Sequence, residues 1–238
     1  MRRKTKQVLL GWLATLLILP AIAVAQQANQ LAPAEQKEGW ILLFDGTSTT
    51  GWTTTSGKPV PDGWLIENGT LTAKKGAKGG DIMSATEYAD FDLRFDYNLE
   101  STGNSGVKYF FTKYATGGNL GMEYQLLDDK LAEDNKKENH LTGSFYDVIP
   151  PAASLKKVNA PGQWNTVRIV AKGQQVEHWL NGVKILEFTR GSPAFTEAVA
   201  ASKFNKAVPA FGTVEKGRIL LQEHGSAVSF RNIKIKVL

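Results

Sequence analysis

Val176-Glu177-His178-Trp179-Leu180, then Asn181-Gly182, then Val183-Lys184-Ile185-Leu186-Glu187-Phe188 reads as two short strands around a turn. Asn-Gly offers two residues that accept positive φ, which a two-residue hairpin needs. The same device recurs upstream, where Trp64-Leu65-Ile66-Glu67 turns at Asn68-Gly69 into Thr70-Leu71-Thr72-Ala73. Between the hairpins, Phe91, Leu93, Phe95 and Tyr97 alternate with Asp92, Arg94, Asp96 and Asn98. That is the period-two signature of a strand buried on one face.

Further strands are expected at 40–44, 106–112, 121–127, 164–171, 218–222 and 228–237. No long helical pattern competes with them; a short helix fits 195–204, and 128–162 and 189–212 read as long loops. About a dozen antiparallel strands in some 200 residues predict an all-β, two-sheet jelly-roll sandwich. Residues 39–238 are read as a single domain, preceded by a flexible polar lead-in at 26–38.

Residues 1–25 have the layout of a secretory signal peptide: Arg2, Arg3, Lys4 and Lys6, an apolar run from Val8, and Ala23-Val24-Ala25 before polar Gln26. The expectation is export to the periplasm or beyond, with no stable membrane span once the leader is removed. The full chain of 238 residues carries 28 basic and 23 acidic side chains, but the leader holds four of the basic ones. The remainder is close to neutral and has no Lys/Arg block, so nucleic acid is not an expected partner. The absence of cysteine excludes thiol catalysis, thiolate metal sites and disulfides.

Strand parity gathers the polar residues. Glu123 and Gln125 share one face of their strand, Gln222 and His224 share one face of another, and Lys108 points opposite to Val107 and Tyr109. If these faces coincide, they form a polar groove on a sheet. Gly103-Asn104-Ser105-Gly106 leads into the Lys108 strand, and Gly225 follows His224; glycines there allow close approach of backbone or ligand. His140, His178 and His224 form no helical zinc motif, and the chain lacks a nucleophile elbow, a phosphate loop and a dinucleotide fingerprint. Asp128 and Asp129 offer a calcium set with Glu123, though adjacent loop acids are more often solvated. Ordinary glycosidases need two carboxyl groups at fixed separation. Here the alternating position after Glu123 is Gln125, so that mechanism is not supported.

Several ordered stretches resemble the 3-keto-disaccharide hydrolase domain family. They include Leu43-Phe44-Asp45-Gly46 with Gly51-Trp52, Glu67-Asn68-Gly69-Thr70-Leu71, Gly103-Asn104-Ser105-Gly106 and Glu123-Tyr124-Gln125-Leu126-Leu127-Asp128. Tyr88 through Asp90-Phe91, Thr142-Gly143-Ser144 with Tyr146, Gly162-Gln163-Trp164-Asn165, Trp179 with Asn181-Gly182, Leu221-Gln222-Glu223-His224-Gly225 and Phe230-Arg231-Asn232-Ile233 complete the set. The resemblance implies a concanavalin A-like sandwich that cleaves glycosides carrying a ketone at C3. A C3 ketone acidifies the C2 proton, so a base removes it, the C1 substituent leaves by β-elimination, and water adds to the enone. That route needs a base, an acid and a donor to the enolate oxygen. Glu123 and His224 are the expected acid/base pair, in unassigned order. Gln125, Gln222, Asn104 and Lys108 are expected to position the sugar or stabilise the enolate, and Tyr146 to close over the site. No organic cofactor is called for; the enolate-stabilising role stays open to a divalent metal. The expected partner is an oxidised carbohydrate, with room for a companion oxidoreductase. The rival readings are a non-catalytic, lectin-like carbohydrate-binding module and a structural domain of an envelope complex.

Overall fold

Tyr109 Oη and His178 Nε2 meet at 2.8 Å in the interior, each from a different sheet. The computed structural model describes residues 27–115, 118–208 and 210–238, so the expected leader lies outside the described residues. Among these, the strands are β1 (Trp40–Leu42), β2 (Trp52–Thr54), β3 (Trp64–Glu67), β4 (Thr70–Ala73), β5 (Ile82–Tyr88), β6 (Phe91–Leu99) and β7 (Asn104–Lys113). They continue as β8 (Asn119–Leu127), β9 (Asn165–Lys172), β10 (Gln175–Leu180), β11 (Val183–Thr189), β12 (Gly217–Leu221) and β13 (Val228–Val237). One sheet runs β11-β10-β9-β6-β13-β4-β3 with β1 also on β13; the other runs β2-β5-β12-β7-β8. The architecture is all-β and antiparallel, as the alternation required.

Both Asn-Gly pairs make the turns expected of them. Asn68 and Gly69 have φ of 49° and 72°, and Asn181 and Gly182 have 49° and 82°. Phe91, Leu93, Phe95 and Tyr97 point from β6 into the space between the sheets, where they join Val107, Tyr109, Tyr124, Phe230 and Ile235 in one buried cluster. His178 is part of that interior. Its Nδ1 faces Gly143 O at 2.9 Å, and burial pushes its pKa down to about 4, so it is neutral and structural.

Two differences from the sequence reading have physical causes, and one expectation is extended. The lead-in is docked at Asn29: it contains α1 (Pro33–Lys37), and buried Asn29 exchanges hydrogen bonds with Asn232 and donates to Gly69 O at 2.7 Å. The short helix expected at 195–204 is present as α2 (Pro193–Ala201), and α3 (Phe204–Ala207) follows it in what otherwise read as a loop; Phe195 and Phe211 stack on Phe145 and tie the segment to the sandwich. Finally, β2 and β5 arise where no strand was expected. The mid-section of β5, Ala85-Thr86-Glu87, is exposed and lacks an apolar alternation.

Candidate functional site

β12, β7 and β8 lie side by side, which brings the three polar strand faces into register. Gly106 pairs with Gln125, and Lys108 with both Glu123 and Leu220. The ladder extends one step past β12, where Gln222 N donates to Gly106 O at 2.9 Å. The result is a cleft of about 250 Å³ that gathers every residue singled out in the sequence: Asn104, Lys108, Glu123, Gln125, Gln222, His224 and Tyr146. Asn104, Tyr146 and His224 also line a second, more open cleft of about 530 Å³, together with Thr102, Glu133, Asp134 and Ser226. His224 thus stands at the seam between two contiguous spaces.

Glu123 is the buried acid of the cleft, only 6% exposed. Its carboxylate lies over Gly106, where any β-carbon would collide with it. With its amide nitrogen toward Glu123, Gln125 donates to Glu123 Oε1 at 3.0 Å and to Ser105 O at 3.1 Å. Lys108 Nζ is 3.7 Å from Glu123 Oε2 and 4.0 Å from Asp81 Oδ2. Burial raises the pKa of Glu123; Lys108, Lys203 and His224 draw it down, Asp81 pushes it up, and the net shift is upward. Asp81 is raised by burial too, against the pull of Lys108 and the N–H of Glu223, which reaches Asp81 Oδ1 at 3.0 Å. A carboxyl shifted upward is a better proton acceptor at neutral pH than an ordinary one.

Tyr146, expected to close over the site, lines both clefts. Its hydroxyl donates to Asp134 Oδ2 at 2.7 Å, its N–H donates to Glu123 O at 3.1 Å, and its ring lies 4.7 Å from that of His140. His140 in turn sits between Asp134 Oδ1 at 2.8 Å and Asp147 Oδ1 at 2.7 Å. Lys203 Nζ rests 4.2 Å above the Tyr146 ring. Gln222 Oε1 is buried and accepts no hydrogen bond among the described residues, so it is an acceptor in search of a donor.

Asp128 and Asp129 do not serve as a calcium set. Asp128 accepts from the N–H groups of Thr102, Lys130 and Leu131, while Asp129 takes Thr142 N and Lys156 Nζ. They pin the start of the long loop. Among the described residues no group of three or more His, Asp and Glu is placed to hold a metal ion.

The 3-keto-alpha-glucoside-1,2-lyase-like domain model matches residues 39–236. The chain belongs to this family. A 3-keto-disaccharide hydrolase of Bacteroides thetaiotaomicron is 30% identical, over 90% of this chain and 83% of that protein. A solved structure from Parabacteroides distasonis, described as a glycosyl hydrolase, is 34% identical with a TM-score of 0.80, covering 89% of this chain and 100% of the other. A second structure from the same organism, described in the same terms, has 28% identity and a TM-score of 0.63, over 84% and 99% of the two chains.

Within the lyase-like domain, two charged groups of the site escaped the sequence reading. Asp81 precedes β5, the strand that was itself missed, and reaches Lys108 from outside the β7–β8 pair. It brings a second carboxylate to Lys108. Lys203 lies on the turn between α2 and α3, where no periodicity marks a side chain as facing the cleft.

Proposed function

We propose that this chain, a glycosidase-type enzyme by its family, cleaves glycosides already oxidised to a ketone at C3, by elimination across C1 and C2 followed by hydration. The observation that carries this reading is the pairing of a buried, upward-shifted Glu123 with His224 in one cleft. Glu123 is the base. It takes the C2 proton, and the electron pair moves through the C2–C3 bond onto the C3 oxygen. The enolate then forms the C1–C2 double bond and expels the C1 oxygen. His224, at the seam, is the acid that gives this oxygen a proton. Water adds at C1 and a proton returns to C2, so only water is consumed.

Two names in the family fit one sequence of steps. Elimination alone makes a lyase; elimination and hydration together make a hydrolase. Gln125 orients the base, the free Gln222 acceptor suits a sugar hydroxyl, and Asn104 lies beside both clefts. The open cleft beyond His224, lined by Thr102, Ser226 and Glu133, suits a neutral, hydroxyl-rich leaving group. The leader at residues 1–25 adds the proposal that the enzyme works outside the cytoplasm.

The test is incubation of the protein with a 3-keto-disaccharide in deuterated water. Cleavage with deuterium at C2 of the ketosugar is the expected result. Cleavage without it, or equal cleavage of the unoxidised disaccharide, would overturn the elimination route. Binding without turnover would make the chain a lectin-like module.

A further inference from the structure

Two ammonium groups line the cleft, and they are not equivalent. Lys108 lies within 4.0 Å of Asp81 and 3.7 Å of Glu123, so its charge already answers two carboxylates. An enolate beside it would add a third anion to a set that holds one cation. Lys203 has no carboxylate within ion-pair distance among the described residues. Its ammonium lies on two aromatic faces, 4.2 Å from the Tyr146 ring and 5.3 Å from that of Phe204, and all three residues line the cleft. We infer that Lys203 is a catalytic residue, the cation that meets the C3 oxygen as the C2 proton leaves; this rests on the elimination reading above.

The backbone of Lys203 is held for such a task. Its N–H donates to Asp147 Oδ2 at 2.8 Å, and Asp147 is bound on its other oxygen by His140. The stem of the side chain therefore starts from a fixed point, and the ring faces hold its far end without neutralising it. A cation on an aromatic face keeps its field while giving up part of its water. A charge already in place where negative charge develops needs no reorganisation during the step. The base is within reach of the same field, since Lys203 is among the cations that hold the Glu123 pKa down. Lys203 forms no bond in the reaction. It lowers the energy of the enolate while the electron pair rests on oxygen, and it is unchanged when the pair returns to expel the leaving group.

The experiment compares the full chain with Lys203→Met, Lys203→Gln and Lys203→Arg, using a 3-keto-disaccharide. Methionine keeps an apolar stem over Tyr146 and Phe204 and removes only the charge. Lys203→Met and Lys203→Gln should lower kcat by about 10²-fold, with KM changed little, as for loss of one charge-stabilising donor. Lys203→Arg should recover most of kcat. The acid limb of the pH profile should move to higher pH in both uncharged variants, because Glu123 loses a cation that favours its ionised form. A merely structural Lys203 would not move that limb. Unchanged kcat, a loss confined to KM, or an arginine variant no better than methionine would overturn the assignment. A wild-type protein that does not cleave the ketosugar at all would overturn the elimination reading itself, and this role with it.

Discussion

The carboxylate of Glu123 rests on the bare α-carbon of Gly106, two residues from its own ladder partner Lys108. A β-carbon at Gly106 would come within 2.9 Å of Glu123 Cδ and 3.0 Å of Cγ, closer than side chains tolerate. Gly106→Ala is therefore expected to turn the carboxylate out of place while the β7–β8 and β7–β12 ladders persist. Misplacement of a reacting group by about 1 Å costs on the order of 10²-fold in rate. Steady-state kinetics should show that loss with an unchanged circular dichroism spectrum. Full activity in the alanine variant would mean that the position of Glu123 does not matter.

Glu123→Gln should separate activity from stability. Turnover should fall by about 10²- to 10⁴-fold, the usual worth of a general base. Burial raises the folded pKa of Glu123 above its unfolded value. Between those two values the native state holds more protons, so stability falls as pH rises, and the ionised carboxylate is a cost at neutral pH. Glutamine removes that cost. Thermal melts should place the variant above wild type at neutral pH, with the gap closing below the carboxylate range. A variant that melts lower at every pH would contradict the assigned direction.

His224 is exposed at the mouth of the cleft, so His224→Ala should leave the melting temperature nearly unchanged. Its effect should depend on the leaving group. A 3-keto-disaccharide, which expels a poor alkoxide, should lose about 10²-fold or more. A 3-keto-glucoside with a nitrophenolate leaving group needs little protonation and should lose far less. Equal losses on both substrates would remove His224 from the acid role.

Asn29→Ala provides the opposite case. Asn29 is buried, far along the chain from the cleft residues, and exchanges bonds with Asn232 at 2.7 and 2.8 Å. Its loss leaves Gly69 O and the Asn232 N–H without their partner, at about 1–3 kcal/mol. Denaturant unfolding should report that loss while kcat and KM stay at wild-type values.

The legible parts of this protein are those written in short-range pattern. Asn68-Gly69 and Asn181-Gly182 announce their hairpins because few dipeptides accept two positive φ values. The parity of Glu123 with Gln125, and of Gln222 with His224, carries over directly because a strand offers only two faces. Which strands become neighbours is not local, and the adjacency of β12 to β7 is what turns those faces into one cleft. Met83-Ser84-Ala85-Thr86-Glu87 in β5 is polar enough to pass for a loop, since half of it faces solvent at the rim of the smaller sheet. Asp81 went unseen with it. Lys203 went unseen because its place is set by the aromatic stack beneath α2, which joins residues from Phe145 to Phe211.

The position of β13 has a consequence for how the chain reaches this fold. It is the latest of the described strands, yet it lies inside the larger sheet, against β6 on one edge and against β4 and β1 on the other. Until residues 228–237 have been synthesised, β6, β4 and β1 each present an unpaired backbone edge, the kind of surface that recruits other strands. Nucleation from the N-terminal half cannot close the sheet, and its closing contacts join residues nearly two hundred positions apart, as Trp40 with Lys236. Folding is accordingly expected to be slow, with assembly waiting for β13 to drop into a gap already shaped for it.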